Sequence, residues 1–327
     1  MKSSRILLLS VLTVTALGLC LASPAAAVEG HFARTLQVTG AVDLEVQTGS
    51  GTIDVRTGDS STVRVTGTIR VTGGWFDSTS GEDKVHYLET NPPIEQHGNL
   101  IKIGRIEDEE LKHNVSISYE IVTPVETRLR SSSGSGEQEV SGVRGPVEAS
   151  SGSGSLRLTN IGDMVRTSTG SGHITVEGVK GSVHASTGSG EIVATGVAGG
   201  LHASTGSGSV TLRQTAPGDV EVSTGSGTLQ LEGVHGAVRA QTASGNIEVE
   251  GEGQDSWRLS TASGNVTVRL PSEQGFTLHA RTVSGSVHTA REMTVQGELG
   301  RHHLEGKVGG GGFMLDVSTV SGNIRIE

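Results

Sequence analysis

Ionisable side chains recur at one position of a repeated sequence unit, and their spacing is the first feature of this chain that suggests chemistry. The position is held in turn by Glu148, Arg166, His184, His202, Glu221 and Arg239. If successive units stack as parallel strands, neighbours in this series lie about 4.8 Å apart. His184, His202 and Glu221 would then form a shallow metal-binding or pH-sensitive group. The alternative, a solvated face on which opposite charges stack, is favoured, and no metal or cofactor is predicted.

Two other segments contain residue types that occur in metal or phosphate sites. His302 and His303 adjoin Glu305, but neighbouring side chains of an extended chain point in opposite directions, so a loop is predicted there. The glycines of residues 309–312 lack the lysine and helix of a phosphate-binding loop, and a flexible connection is predicted. No Gly-x-Ser-x-Gly sequence lies at a strand-to-helix turn, and no helix of useful length is predicted. The sequence therefore predicts no catalytic residue and no enzyme.

Trp75 and Phe76 are the one pair of large aromatic side chains that adjoins glycines and polar residues. Such a pair is a candidate contact patch for a partner. The alternative is that both rings fill the core of the N-terminal region.

The elements that would position these side chains follow from the repeat. The second glycine of a Ser/Thr-Gly-Ser-Gly-like unit recurs every 18 to 21 residues, at Gly136, Gly154, Gly172, Gly190, Gly208, Gly227, Gly245, Gly264 and Gly285. Within residues 172–186, apolar and polar side chains alternate on either side of a glycine turn. A period of two indicates half-buried strands, so each unit is two short strands and two glycine turns.

One unit of this kind cannot fold alone. Ordering 18 residues of backbone costs about 18–36 kcal/mol, whereas its few apolar side chains return only about 2 kcal/mol each when buried. Stacking is therefore obligatory, and the sequence predicts an all-β parallel β-solenoid, or β-helix, of about ten coils of ~18 residues. An antiparallel meander of hairpins stays open, because periodicity does not fix strand direction.

Residues 28–130 differ from residues 131–327, which form the repeat region. The first segment has one early copy of the unit and strand-like runs at Thr62–Val71, 100–106 and 114–122. We predict an N-terminal β-rich cap that shields the open edge of the first coil.

Residues 1–27 have the form of a secretory signal peptide. Lys2 and Arg5 precede an apolar run over residues 6–22, and small residues lead to a predicted cleavage after Ala27. The single cysteine, Cys20, would leave with the signal, so the mature chain would form no disulfide. No second apolar run reaches the ~18–20 residues of a membrane span. An extracytoplasmic protein, periplasmic or secreted, is predicted.

The charge balance restricts the partners. Without Lys2 and Arg5, the 25 basic residues fall to 23 against 35 acidic residues, a net charge of −12. This acidity argues against nucleic acid or an anionic membrane surface as partner. The expected partner is an unknown protein or an envelope polysaccharide.

Four segments carry a resemblance to a known family. They are a strand ending in residues 119–124 (Tyr-Glu-Ile-Val-Thr-Pro), the tandem Thr-Gly-Ser-Gly units, Arg269-Leu270-Pro271, and the closing residues 319–324 (Thr-Val-Ser-Gly-Asn-Ile). Over nearly all the expected mature chain, the sequence resembles a bacterial family of domains of unknown function described as putative adhesins. The resemblance implies an extracytoplasmic β-solenoid with a role in adhesion or envelope association, and it supplies no catalytic residue.

Three functions from different classes follow. The first is a non-catalytic surface or periplasmic binding protein that presents a rigid polar face. The second is an envelope regulatory or stress-response partner. The third is a carbohydrate-active β-helix enzyme, which would need carboxylates, alone or beside Arg or Lys, grouped on one face of the structure.

Overall fold

The computed structural model describes residues 27–72, 80–106, 108–295 and 300–327. Trp75, Phe76 and the predicted signal peptide up to residue 26 lie outside these ranges. Within them, regular structure is almost entirely strand, with two helices. No helix among the described residues is long and apolar enough to cross a membrane.

The elements fall into three groups along the chain. The first is β1 Val28–Gln37, β2 Val42–Thr48, β3 Ile53–Thr57, β4 Thr62–Val71, α1 Gly81–Thr90, β5 Ile94–His97, β6 Leu100–Ile103, α2 Glu109–Lys112 and β7 Val115–Thr123. The second is β8 Thr127–Ser133, β9 Gln138–Ser141, β10 Val147–Ser151, β11 Leu156–Ile161, β12 Val165–Thr169, β13 Ile174–Val179, β14 Val183–Ser189, β15 Ile192–Val197, β16 Leu201–Ser207, β17 Val210–Gln214, β18 Val220–Ser226, β19 Leu229–Val234, β20 Val238–Ser244, β21 Ile247–Gly251, β22 Trp257–Ser263 and β23 Val266–Arg269. The third is β24 Phe276–Ser284, β25 Val287–Thr289, β26 Met293–Val295, β27 His303–Val308, β28 Phe313–Ser321 and β29 Ile324–Ile326.

The strands of the repeat region alternate between two long sheets. Even-numbered strands from β8 to β22 lie in a 15-stranded sheet, and odd-numbered strands from β9 to β23 lie in a 14-stranded sheet. Every pairing between neighbours of this region is parallel. The prediction of an all-β chain built from parallel stacked strands is confirmed, and the antiparallel meander is wrong for this region. We call one strand of the larger sheet plus the next strand of the smaller sheet a coil.

The inward positions of both sheets build one continuous apolar core. The predicted inward residues of the 15-stranded sheet are at most 2% exposed: Val147, Val165, Val183, Leu201, Val220 and Val238. Those of the 14-stranded sheet are at most 1% exposed: Leu156, Leu158, Val210, Leu212, Leu229, Leu231, Ile247, Val249, Val266 and Val268. Period-two alternation therefore correctly predicted which side chains face inward.

A column of buried hydroxyls joins neighbouring coils where the chain leaves the 15-stranded sheet. Its members are Ser133, Ser151, Thr169, Thr187, Thr205, Thr224, Thr242, Thr261, Thr319 and Thr282. Each hydroxyl donates to a glycine carbonyl of an adjacent coil, as Thr187 does to Gly172 at 3.0 Å. A Cβ on Gly190 would collide with that same Gly172 carbonyl. The repeated glycine is thus required by close backbone stacking.

The turn that ends several strands of the smaller sheet uses left-handed backbone. Gly178 and Gly196 have φ values of 66° and 68° there. Asn160 takes the equivalent place one coil earlier with φ 55°. Glycine adopts this conformation without strain, and asparagine is among the few other residues that tolerate it.

The N-terminal region extends the smaller sheet with antiparallel strands and adds a helix. β4 pairs antiparallel with β1 and with β7. Helix α1 begins after Ser80, whose hydroxyl accepts from the Asp83 amide at 3.1 Å, and it buries Val85 and Leu88 against the core. The Glu89 carboxylate of this helix accepts a hydrogen bond from the His31 backbone amide of β1 at 2.9 Å, so the helix satisfies one backbone donor of that strand. The prediction of no useful helix is therefore wrong here.

Coil order in space departs from chain order near both ends of the stack. Coil β2–β3 lies between β6–β7 and β8–β9. Coil β28–β29 likewise lies between β22–β23 and β24–β25. After β24 the chain forms β27, which pairs antiparallel with β24 on its outer side. The chain then crosses to the inner side of β24, where β28 lies between β24 and β22. The last sequence repeat is therefore inserted into the stack rather than added to its end.

Candidate functional site

A continuous row of ionisable side chains crosses the outer surface of the 15-stranded sheet, and we call it the charged row. In stacking order its members are Glu95, Lys102, Glu45, Arg130, Glu148, Arg166, His184, His202, Glu221, Arg239, Arg258, Asp316, His279 and Glu305. The six members expected from the sequence are in register as predicted. Arg130 and Arg258 continue the same register on the next regular strands, β8 and β22. The remaining members were missed because they come from segments outside the regular repeat.

Over its first part the row alternates in sign. Arg130 lies between two carboxylates, with nitrogen to oxygen distances of 3.5 Å to both Glu45 and Glu148. Lys102 lies 3.8 Å from Glu45 on the other side. Exposed pairs of this kind contribute about 0–1 kcal/mol each, so the alternation positions charge more than it stabilises the fold.

Between Arg166 and Arg258 the alternation fails. Arg166, His184 and His202 occupy three successive strands, and the two imidazole centroids are 5.8 Å apart. Arg239 and Arg258 then face each other directly on neighbouring strands. The six side chains from Arg166 to Arg258 hold three arginines against the single carboxylate of Glu221. Their net charge is +2 with neutral histidines, in a chain whose net charge is −10.

The carboxylate of Glu221 lies between His202 and Arg239. One oxygen lies 3.3 Å from His202 Nδ1, and the other lies 3.9 Å from Arg239 Nε. Arg258 Nε lies 3.8 Å from Asp316 on its far side. Glu221 is thus the one carboxylate among these six side chains, and its single negative charge is smaller than the positive charge of the three arginines.

The surroundings of His184 disfavour its charged form. Partial burial lowers its pKa below the ordinary 6.5, and the Arg166 guanidinium and His202 lower the pKa further. Its Nδ1 atom is buried and has no hydrogen-bond partner among the described residues. The ring is therefore neutral at pH 7 and keeps one polar atom unsatisfied.

Two shallow hollows border this segment. The first, of about 480 Å³, is lined by His184, His202, Glu221, Arg239 and Arg258. The second, of about 300 Å³, adjoins Arg166 and the same histidines. It is also lined by four members of a parallel serine row, two residues further along each strand: Ser150, Ser168, Ser186 and Ser204.

The candidate metal groups do not form ligand sets. Among the described residues, no group of three or more His, Cys, Asp or Glu side chains is placed to hold a metal ion. His184, His202 and Glu221 share the row without converging on one point. The loop predicted at His302 and His303 is wrong for His303, which begins β27 and lies 3.5 Å from Glu305.

A second group of charges lies on the 14-stranded sheet. Glu120, Asp54, Glu139 and Arg157 occupy four successive strands and border a hollow of about 650 Å³. Burial raises the pKa of Asp54, and the carboxylates of Glu139 and Glu120 raise the pKa further against the opposing effect of Arg56. Sequence reasoning missed this group because its members come from three separate segments.

The indole of Trp257 offers no sugar-binding surface. It is 0% exposed, and its Nε1 donates to the carbonyl of Gly236 at 3.0 Å. It packs edge-on against Phe313, with the ring centroids 5.5 Å apart. The side chain is a core element.

Part of the sequence is similar to a known family. Residues 197–327 match the model of the Toastrack DUF4097 family. The matched residues include His202, Glu221, Arg239 and Arg258, whereas His184 lies before them. The match is narrower than the resemblance expected over nearly all the mature chain. No curated protein matches the sequence.

Solved structures similar to the chain carry related names. One is a "putative cell adhesion protein" from Clostridium sporogenes, with 12% identity, 91% of this chain and 98% of that chain covered, and a TM-score of 0.22. A "putative adhesin" from Bacteroides fragilis has 10% identity, 91% and 97% coverage and a TM-score of 0.34. A "putative lipid binding protein" from Parabacteroides distasonis has 12% identity, 91% and 96% coverage and a TM-score of 0.38.

Proposed function

We propose that this protein is a non-catalytic, exported β-solenoid that binds an envelope partner, a protein or a polysaccharide, through the rigid polar face bearing the charged row. In this proposal the solenoid has about ten coils, and residues 28–130 cap its first one. The observation that carries the proposal is the unbroken register of the charged row over 14 strands.

The energetics of the row support a role in binding. The core and the backbone ladders already hold the strands together, and exposed ion pairs add little to that. Like charges directly opposite each other on neighbouring strands are destabilising. Arg239 facing Arg258 is therefore unfavourable in the free protein and becomes favourable when an anionic group lies between them. Residues that cost stability at a surface are the ones expected to serve a partner.

The export that we propose rests on the N-terminal residues of the sequence. The signal-like residues 1–27, with cleavage after Ala27, would deliver the chain to the periplasm or the cell exterior. The mature chain would then contain no cysteine, and it would depend on packing and backbone pairing for stability in an oxidising compartment.

Binding and its non-catalytic nature can be tested together. The purified mature chain is sedimented with native envelope fragments, and the supernatant is assayed for newly released sugar ends. We expect saturable co-sedimentation of folded chain, none with heat-unfolded chain, and no released ends. Absence of folded chain from the pellet would overturn the proposal. Binding only to fragments that carry one membrane regulator would favour the alternative, an envelope regulatory or stress-response partner.

A carbohydrate-cleaving activity is the second candidate, since grouped carboxylates favour it. Asp54, whose pKa is raised, sits between Glu120 and Glu139 and has the character of a general acid beside a base. In this case the sedimentation supernatant would contain new sugar ends. The Asp54→Asn variant would abolish them, while the Arg239→Gln variant on the other sheet would not.

A further inference from the structure

The segment from Arg166 to Arg258 carries three arginines along the stack. It crosses six successive strands, and adjacent strands lie about 4.8 Å apart, so the segment is about 24 Å long. Three arginines are permanently charged, and Glu221 is the one acidic member of the six. A linear ligand with repeated negative groups could contact several of these cations at once.

The face beside this segment supplies neutral hydrogen-bonding groups. The serine row runs parallel to the charged row through Ser168, Ser186, Ser204 and Ser223, again one per strand. A hydroxyl both donates and accepts, which suits the hydroxyl groups of a sugar ring. An acidic peptide carries no matching row of hydroxyls, so the combination favours a polysaccharide over a protein.

Two facing guanidinium groups mark the same segment as a place for an anionic ligand. Arg239 and Arg258 face each other across neighbouring strands, and the nearest carboxylate of each, Glu221 or Asp316, lies on its far side. Both arginines line the hollow of about 480 Å³, which is open enough to admit an anionic group. An oxyanion placed there would screen the two arginines from each other and accept bidentate hydrogen bonds from either guanidinium.

We propose that the segment from Arg166 to Arg258 is the binding site for an acidic polysaccharide, which lies along the stack across the strands. Its carboxylate or sulfate groups contact the arginines, and its hydroxyls contact the serine row. This inference rests on the proposed function and names the ligand class of that same face.

The test measures the affinity of the purified mature chain for four polymers by isothermal titration calorimetry. Polygalacturonate supplies carboxylates, dextran sulfate supplies sulfates, dextran is the neutral control, and polyglutamate is an acidic polymer without sugar. We expect binding to one or both acidic polysaccharides, weakened by salt because the contacts are ionic. Neutral dextran should not bind.

Variants locate the site. The double variant Arg239→Gln with Arg258→Gln should raise the Kd for the acidic polysaccharide by roughly tenfold or more, equivalent to about 1.4 kcal/mol. The matched control, Arg213→Gln with Arg325→Gln, removes two exposed charges from the 14-stranded sheet and should change the Kd little. The control should unfold at the wild-type midpoint, because both of its side chains are more than half exposed. The Arg239→Gln, Arg258→Gln variant should unfold at that midpoint or slightly above it, because it removes two like charges that face each other.

Three results would overturn the inference. Equal losses in the two double variants would show that only net charge matters. Polyglutamate binding as tightly as the polysaccharides would assign the face to an acidic protein. If no acidic polymer binds while the chain still sediments with envelope fragments, the ligand class is wrong and the proposed function stands; if neither occurs, both are wrong.

Discussion

Replacing Val183 by aspartate tests which side of the strand holds the fold together. Val183 is 0% exposed and lies in the core column between Val165 and Leu201. The change loses the burial of one valine, about 1.5–3 kcal/mol. It also buries a carboxyl group that has no partner, at about 2–7 kcal/mol or more. We expect a loss of about 4–10 kcal/mol, which rivals the ~5–15 kcal/mol that typically stabilise a domain.

The adjacent residue supplies the matched control. His184→Asp introduces the same side chain one position along, on the solvent face between Arg166 and His202. A carboxylate there gains the Arg166 guanidinium as a cationic neighbour, so the change should stay within about 0.5 kcal/mol.

Urea unfolding followed by far-UV circular dichroism compares the two variants with the wild type. Val183→Asp should be largely unfolded, or unfold at much lower urea, while His184→Asp should match the wild type. Similar midpoints, or a lower one for His184→Asp, would contradict the facing of β14 and would make the outer row the structural one.

Three further outcomes follow from particular contacts. Thr187→Val removes the donor to the Gly172 carbonyl and should lower the unfolding free energy by about 1–3 kcal/mol in urea, with Thr187→Ser losing less. Arg291 donates to the main-chain carbonyls of Pro271 and Gln274, in the loop before β24, and to that of Glu327, so Arg291→Ala should speed amide hydrogen exchange in β24 and β25 and leave β12 unchanged. The lowered pKa of His184 means that the unfolded chain takes up the proton first. Unfolding free energy should therefore decline as pH falls below 6.5 and level off below the folded pKa, a dependence that His184→Gln reduces in urea titrations at each pH.

The regular part of the fold could be predicted because its determinants are local. Glycines that recur every 18 to 21 residues mark the turns between strands, and period-two alternation determines which side chains face inward. Val183 and His184, adjacent in sequence, face opposite sides of the strand as expected, with Val183 buried and His184 half-exposed. Charged residues at one position of the unit then fall into a row once the strands are parallel and in register.

The remaining features depend on contacts between distant segments. Nothing local to Gly322 indicates that it stacks between Gly264 and Gly285. The same interleaving brings Glu120 beside Asp54, and that pairing was invisible in the sequence. Helix α1 is different, because Ser80 followed by acidic residues is a recognisable start signal that a purely strand-based interpretation passed over.

The charged row exists because each repeat unit contributes one strand to the 15-stranded sheet. Spin labels at Glu148→Cys and Arg258→Cys measure this directly, since Cys20 is the one native cysteine and precedes the predicted cleavage point. Six strand spacings separate these positions, which gives about 29 Å between the backbones. Pulsed electron spin resonance should give a single narrow distance near that value. If both strands of each unit lay in one meandering sheet, the distance would be about twice as long, roughly 58 Å, and that result would contradict the parallel stack and the row built on it.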